Sequence, residues 1–180
     1  MKKIILAMGL SSLGLMNAYA QDSTDITVSG YISDTAGACA VQIDKSSIQL
    51  YADPAHINKQ AEQKLNYYSP DGVVNITVDG DEGCHNTLKS GRIYLKFTGV
   101  ADNADGTVLA NTAEGENAAK GVGVGIFSGS YSNIMFHVNQ SIMPVYDKPT
   151  SVNLGVVQLS NQSVVPGDVQ TSMTVNIERL

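Results

Sequence analysis

The sequence contains no tryptophan, only two cysteines and three histidines, and only 16% of its residues are charged. Positive charge is the scarcer sign, with 11 Lys and Arg against 17 Asp and Glu, and the formal net charge is −6. No basic cluster stands out along the chain, whereas proteins that bind nucleic acid usually carry a basic patch or stripe. We therefore expect no nucleic-acid partner.

The common catalytic motifs are also missing. No Gly-x-Ser-x-Gly sequence marks a nucleophile elbow. A copper–zinc superoxide dismutase needs clustered His ligands, including a His-x-His pair, and His56, His85 and His137 offer neither. Asp79, Asp81 and Glu82 could suggest a calcium site, but they lack the 12-residue ligand pattern of an EF-hand, so we interpret them as a solvated turn. The prediction is a protein that is not an enzyme and that binds no metal or cofactor.

Long apolar runs are absent except at the start of the chain. Lys2 and Lys3 precede the mostly apolar stretch 4–16, and Ala18-Tyr19-Ala20 follows it. This order predicts a secretory signal peptide over residues 1–20, cleaved after Ala20. The alternative is a membrane anchor, but the apolar stretch is shorter than the roughly 20 residues that span a bilayer. We expect an exported protein.

Without residues 1–20 the chain has 160 residues and a formal net charge of −8, because Lys2 and Lys3 leave with the signal. This length suits one domain with a sizeable core. The two cysteines, Cys39 and Cys84, predict one disulfide in an oxidising compartment. A metal site is the alternative, but two cysteines without nearby histidine partners make a poor ligand set.

Short alternating segments dominate the rest of the sequence. Apolar and polar residues alternate, as in half-buried strands, within residues 73–79, 92–97 and 169–179. Further strands are expected near residues 38–43, 48–50, 122–126, 133–138 and 153–160. Residues 52–72 are expected to form a connection with a helical turn over 58–65. Residues 101–121 are expected to form a mobile surface excursion, broken briefly by Val108-Leu109. With no amphipathic helix of normal length, the pattern predicts an all-β, antiparallel sandwich.

An alternating stretch stands apart at the start of the mature chain. Its predicted inward face consists of Ile26, Val28, Gly30 and Ile32. Its outward face consists of Thr27, Ser29 and Tyr31. The last predicted strand places Val169, Met173, Val175 and Ile177 on one face and ends with the chain, so it would be an exposed edge. We interpret the first stretch as an arm that completes a neighbouring subunit; the alternative is an ordinary first strand of a closed sandwich.

Four groups of residues, taken together, resemble those of a known protein family. They are Gly30-Tyr31-Ile32 followed by Ala38-Cys39-Ala40-Val41; residues 74–78 leading to Gly83-Cys84 and then 92–99; the glycine-rich stretch 121–126; and Gly167, fourteenth from the end, before the last strand. In this order and spacing, the mature chain resembles the structural subunits of chaperone–usher pili, the type 1 fimbrial family. It departs from the family at Arg179, where the family usually has an aromatic residue.

The resemblance implies an incomplete immunoglobulin-like sandwich that lacks its last strand, with residues 21–29 as a donor-strand arm and 30–180 as the pilin domain. It implies three kinds of partner: a periplasmic chaperone, an outer-membrane usher, and other pilus subunits that exchange arms. The chaperone and the incoming arm would pair with the last strand, and chaperone basic residues would anchor the Leu180 carboxylate. The implied function is a pilus subunit at the cell surface that supports adhesion. The alternative is a single-domain adhesive tip or adaptor subunit that contacts a host receptor.

Overall fold

The computed structural model describes residues 24–30, 38–129 and 133–180. In chain order the strands are β1 (Thr24–Gly30), β2 (Cys39–Ile43), β3 (Ser47–Leu50), β4 (Asn58–Lys59), β5 (Val73–Gly80), β6 (Ile93–Thr98), β7 (Leu109–Ala110), β8 (Val122–Ser128), β9 (Met135–Phe136), β10 (Ile142–Val145), β11 (Thr150–Gln158) and β12 (Val169–Arg179). One α-helix of the described chain, α1, spans Glu82–Lys89, and short 3₁₀ turns span Pro54–His56, Gln60–Glu62 and Pro70–Gly72.

Two sheets form a sandwich, which confirms the all-β prediction. The first sheet has the order β10-β6-β12-β1-β3, and the second has the order β2-β5-β11-β8-β7, with β4 beside β11 and β9 beside β8. Most neighbouring strands are antiparallel, but β1 runs parallel to β12 and β4 runs parallel to β11. The expectation of a wholly antiparallel sandwich was therefore wrong at these two pairs.

The alternating segments form strands because one face of each packs into the core. Ile93, Leu95 and Phe97 of β6 are buried, while the residues between them are half-buried. The predicted strand over residues 169–179 is confirmed with the same bounds. The prediction over 133–138 was too long, since the strand there is Met135–Phe136, with an isolated bridge from Ile134 to Lys64 before it.

Strands β8 and β11 are buried on both faces, which the sequence analysis did not foresee. A second, smaller apolar cluster covers the outer face of their sheet. Its members are Leu65, Val108, Phe127, Met135, Val157 and Leu159. The glycine face of β8 is covered, because a Cβ at Gly123 would lie 2.6 Å from the Leu109 carbonyl oxygen and one at Gly125 would lie 2.7 Å from the Phe127 ring.

Most of residues 101–121 lie at the surface, as predicted, but the part around Val108 and Leu109 packs over β8 and belongs to this cover. Val108 and Leu109 are buried, and β7 pairs with β8. The buried Gln60 amide fixes the segment: its Nε2 donates to Asp102 Oδ2 at 3.0 Å and to Thr107 Oγ1 at 2.8 Å. Its Oε1 accepts from the Ser160 N–H at 2.9 Å. The Gln60 side chain therefore connects its own segment to the loop at residues 102–107 and to the turn at residue 160.

The predicted disulfide is confirmed. Cys39 at the start of β2 is bonded to Cys84 in α1, with 5.3 Å between the Cα atoms. Helix α1 was not predicted; Asp81 caps it by accepting from the Cys84 N–H at 2.9 Å. The bonds from the Cys84 and Ala38 N–H groups, together with the Arg179 charge, hold the pKa of Asp81 below its usual value. The helical turn expected over 58–65 is a shorter 3₁₀ turn over Gln60–Glu62.

Candidate functional site

The N-terminal strand lies between the last strand and β3 of its own chain. It pairs with β12 in parallel over seven residues, from Thr24 opposite Val169 to Gly30 opposite Val175. It pairs with β3 in antiparallel over Thr24–Thr27, and the Val28 N–H donates to the Ser46 carbonyl oxygen at 3.1 Å. The expectation that the last strand is an unpaired edge was therefore wrong for this chain, because its own arm covers that side.

The arm presents the two faces that its alternation predicts. Ile26 is 0% exposed and Val28 is 3% exposed, whereas Thr27 faces solvent. The Gly30 backbone continues the pairing, and Ile32 lies outside the described residues. The arm thus contributes two large apolar side chains to the core of this sandwich.

The groove that holds the arm has walls from two strands. On the β12 side, Val169, Met173 and Val175 are buried, and Ile177 is partly buried. On the β3 side, Ile48 and Leu50 are buried. The residues of the first wall were predicted from the sequence, whereas residues 48–50 were predicted only as a short strand. The alternation of Ile48 and Leu50 was the signal that could have identified the second wall. If β1 were removed, these two walls would face an open slot.

An apolar cleft adjoins the groove at the end where β1 begins. Val169, which pairs with Thr24, lines this cleft together with Ile57, Val164 and Val165. Its volume is about 40 Å³, enough for part of one apolar side chain. The apolar surface of the groove therefore extends past the first paired residue of the arm.

Gly167 stands just before β12 and has a role in the chain's own packing. A Cβ at this position would lie 2.2 Å from the Asn117 carbonyl oxygen. The Asp168 N–H donates to the same oxygen at 2.8 Å, which brings the loop at residues 111–119 against the start of β12. The glycine is therefore required by this close backbone approach.

The end of the chain is held by Arg92. The Arg92 Nε donates to the Leu180 main-chain oxygen at 2.8 Å, and the Leu180 N–H donates to the Arg92 carbonyl oxygen at 3.1 Å. Arg179 lies against the disulfide, with its Nη2 3.6 Å from Cys39 Sγ. A partner that takes the terminal carboxylate would have to compete with Arg92.

The histidines do not converge on a metal. His85 is partly exposed, with Nε2 3.2 Å from Asp79 and Nδ1 3.3 Å from Asp147. These carboxylates lie at opposite ring nitrogens, so the three groups cannot meet at one ion. No group of three or more His, Cys, Asp or Glu suited to a metal occurs within residues 24–30, 38–129 and 133–180. Over the same residues, no helix is long and apolar enough to cross a membrane.

Comparisons with known proteins do not assign the chain to a family. No model of a known protein family matches the chain, and no curated protein matches it.

Proposed function

We propose that this chain is a structural subunit of a bacterial surface pilus, exported through the periplasm and assembled by exchange of its N-terminal strand between subunits. In this proposal a periplasmic chaperone first occupies the groove beside β12. At the outer-membrane usher, the arm of the next subunit replaces the chaperone, and the polymer supports adhesion of the cell. The domain would be an immunoglobulin-like sandwich that obtains its missing strand from a neighbour.

The observation that carries the proposal is the position of β1. A strand at the front of the chain fills a slot between β12 and β3 and pairs with no other strand of the described chain. The same slot fits the same strand from a second copy, because Ile26 and Val28 would meet the same walls. Strand addition of this kind uses main-chain hydrogen bonds for affinity and alternate side chains for specificity.

The energies are consistent with exchange. Burial of Ile26 and Val28 contributes roughly 1.5–3 kcal/mol for each side chain, whichever chain supplies them. In the free chain, its own arm pairs with β12 in parallel. Parallel pairing is slightly weaker per residue than antiparallel pairing. The arm also pairs with β3 in antiparallel, so an incoming arm of either direction would have one parallel and one antiparallel neighbour. The apolar cleft beside Val169 offers an incoming arm further contact.

A lock on the arm tests the proposal. Thr27 and Ser172 are both exposed and lie opposite each other in the β1–β12 register. In the chain from Gln21 onward, the variant Thr27→Cys with Ser172→Cys should form a second disulfide that holds the arm in its own groove. Refolded at high concentration and examined by native mass spectrometry, the oxidised variant should stay monomeric. The matched Thr27→Ser chain, which keeps Ser172, should form a ladder of oligomers.

Assembly of the locked chain to the same extent as its serine control would contradict strand exchange. A serine control that stays monomeric with its native chaperone and usher present would contradict it as well.

A further inference from the structure

Three exposed tyrosines surround one shallow cleft on the side of the molecule next to the start of the arm. Tyr51 directly follows β3 and is 51% exposed. Tyr67 and Tyr68 lie in the loop before the 3₁₀ turn Pro70–Gly72 and are 47% and 58% exposed. The floor of the cleft contains Leu50 and Val156. Exposed aromatic groups around a concavity are typical of binding sites, because these side chains combine a large apolar area with a polar tip.

The loop that carries Tyr67 and Tyr68 is fixed from beneath by Asn58, which is 3% exposed. The Asn58 Oδ1 accepts from the N–H groups of Asn66 and Tyr67, both at 2.8 Å. Its Nδ2 donates to the Tyr67 carbonyl oxygen at 3.1 Å. A buried amide thus holds the loop in place before any ligand arrives, which reduces the entropy lost on binding.

His56 completes the rim in a fixed orientation. Its Nδ1 lies 2.8 Å from Asp53 Oδ2, and its ring packs edge-on against the Tyr67 ring at 5.5 Å between centroids. This arrangement leaves Nε2 at the other end of the imidazole ring as a polar group that a ligand hydroxyl can reach. Ser69 and the tyrosine hydroxyls are further polar groups around the cleft.

The residues that line the cleft limit which ligand charge it can bind. Among the described residues that line the cleft there is no Lys, Arg, Asp or Glu. Charged ligands are recognised by opposite charges. The carboxylate at the rim, Asp53, is already bonded to His56, and the net charge of −6 disfavours an acidic ligand. The cleft volume is about 70 Å³, well below the roughly 300–1,000 Å³ of pockets that enclose a small molecule. The ligand must therefore be neutral and lie across the rings.

We propose that this cleft binds a neutral carbohydrate. One face of a hexopyranose ring presents polarised C–H groups, which pack against the electron-rich face of a tyrosine ring. The hydroxyls at the edge of the sugar can then bond to His56, Ser69 and the tyrosine hydroxyls. A proline-rich peptide is the other neutral ligand that aromatic surfaces bind, but it needs a groove with successive aromatic-lined sites. The site described here is a single small cleft.

The probes for the test are the methyl glycosides of glucose, galactose, mannose and N-acetylglucosamine, each at millimolar concentration. Saturation-transfer difference NMR on the full mature chain should detect binding of at least one of them. Tyr51→Ala and Tyr67→Ala should each weaken that binding about tenfold, the loss expected for a central aromatic contact. Tyr67→Phe keeps the ring and should keep most of the affinity.

The matched control is Tyr146→Ala. Tyr146 is 53% exposed and does not line this cleft, so its removal should leave glycoside binding unchanged. If Tyr51→Ala or Tyr67→Ala melts at a lower temperature than the wild type, Tyr68→Ala is tested in its place. The proposal is wrong if no glycoside binds, if binding survives the cleft substitutions, or if only a decaproline peptide binds. Because the test uses the unassembled chain, its failure would leave the strand-exchange proposal untouched.

Discussion

At the scale of single residues, Asp102 shows how one carboxylate organises a loop. It is 7% exposed and accepts from the N–H groups of Ala104 and Val108 and from Gln60. Burial raises the pKa of Asp102, but these hydrogen bonds outweigh burial and hold the pKa below its ordinary value. The carboxylate therefore stabilises the fold above about pH 4, the unfolded value, and this contribution is lost as the pH falls through the folded pKa.

Asp102→Asn tests this account. The amide cannot accept as many bonds, so at pH 7 the free energy of unfolding should fall by about 2 kcal/mol. The gap between wild type and variant should narrow below pH 4, as the wild-type carboxyl becomes protonated. Urea denaturation at several pH values measures both effects. The exposed Glu116→Gln is the control and should change stability little; a gap that stays constant down to the acid transition would contradict the prediction.

Thr171 is a buried residue whose hydroxyl gains nothing from the present arrangement. It is 3% exposed, lies opposite Ile26 in the groove, and its Oγ1 has no hydrogen-bond partner in the described part of the chain. Thr171→Val replaces the hydroxyl by a methyl group of similar size and should raise the free energy of unfolding by about 1 kcal/mol. Thr107→Val is the matched opposite, because Thr107 Oγ1 accepts from Gln60. Thermal melting should show a gain for the first and a loss for the second; a loss for both would contradict this account of Thr171.

Among the elements of the fold, β2 and α1 are joined by the Cys39–Cys84 disulfide. Its loop spans 45 residues of sequence separation, and closing a loop of this length stabilises by about 4 kcal/mol in the chain-entropy model. The chain with Cys39→Ala and Cys84→Ala should lose about that amount in urea denaturation. The wild-type chain should contain no thiol that can be alkylated without reduction. A loss below about 1 kcal/mol would show that the unfolded chain is not constrained by the bond.

The strands themselves were largely predictable, because alternation reflects which face meets the core. Ile93, Leu95 and Phe97 carry this signal locally, and so do Met173 and Val175. Helix α1 was not predicted, since eight polar-rich residues show no long period and only Asp81 before Glu82 signals its start. The burial of the outer face of β8 was not predicted, for a different reason. It depends on Gln60, a single polar residue whose three partners lie far away along the chain.

The partner of the arm could not be predicted from the sequence either. Period-2 alternation says which side chains of β1 are buried but not which strand they pair with or in which direction. The parallel pairing with β12 joins residues about 145 positions apart and depends on the slot between β12 and β3. The candidate groove therefore became visible only when both of its walls were placed, whereas its apolar residues could be identified beforehand.

At the scale of the whole molecule, the question is whether the arm belongs permanently to the chain that carries it. If the arm only completed a neighbouring subunit, substitutions in it would leave the domain folded. The burial of Ile26 in its own sheet changes that expectation for the free monomer. Ile26→Asp would bury an unpaired charge and should lower the free energy of unfolding by about 3 kcal/mol or more. Thr27→Asp remains in solvent and should change it little.

Rescue by a peptide then separates a removable arm from a permanent strand. A synthetic peptide of residues 21–32, added to the Ile26→Asp chain, should displace the damaged arm and restore the melting temperature toward the wild-type value. The same peptide carrying Ile26→Asp should not, because an aspartate cannot replace the apolar side chain between Thr171 and Ile48. Differential scanning fluorimetry at increasing peptide concentration measures the effect, and for binding to the folded state the shift should grow with concentration. If the wild-type peptide leaves the melting temperature unchanged, β1 is a fixed strand of a closed sandwich, and strand exchange between subunits would have to be abandoned.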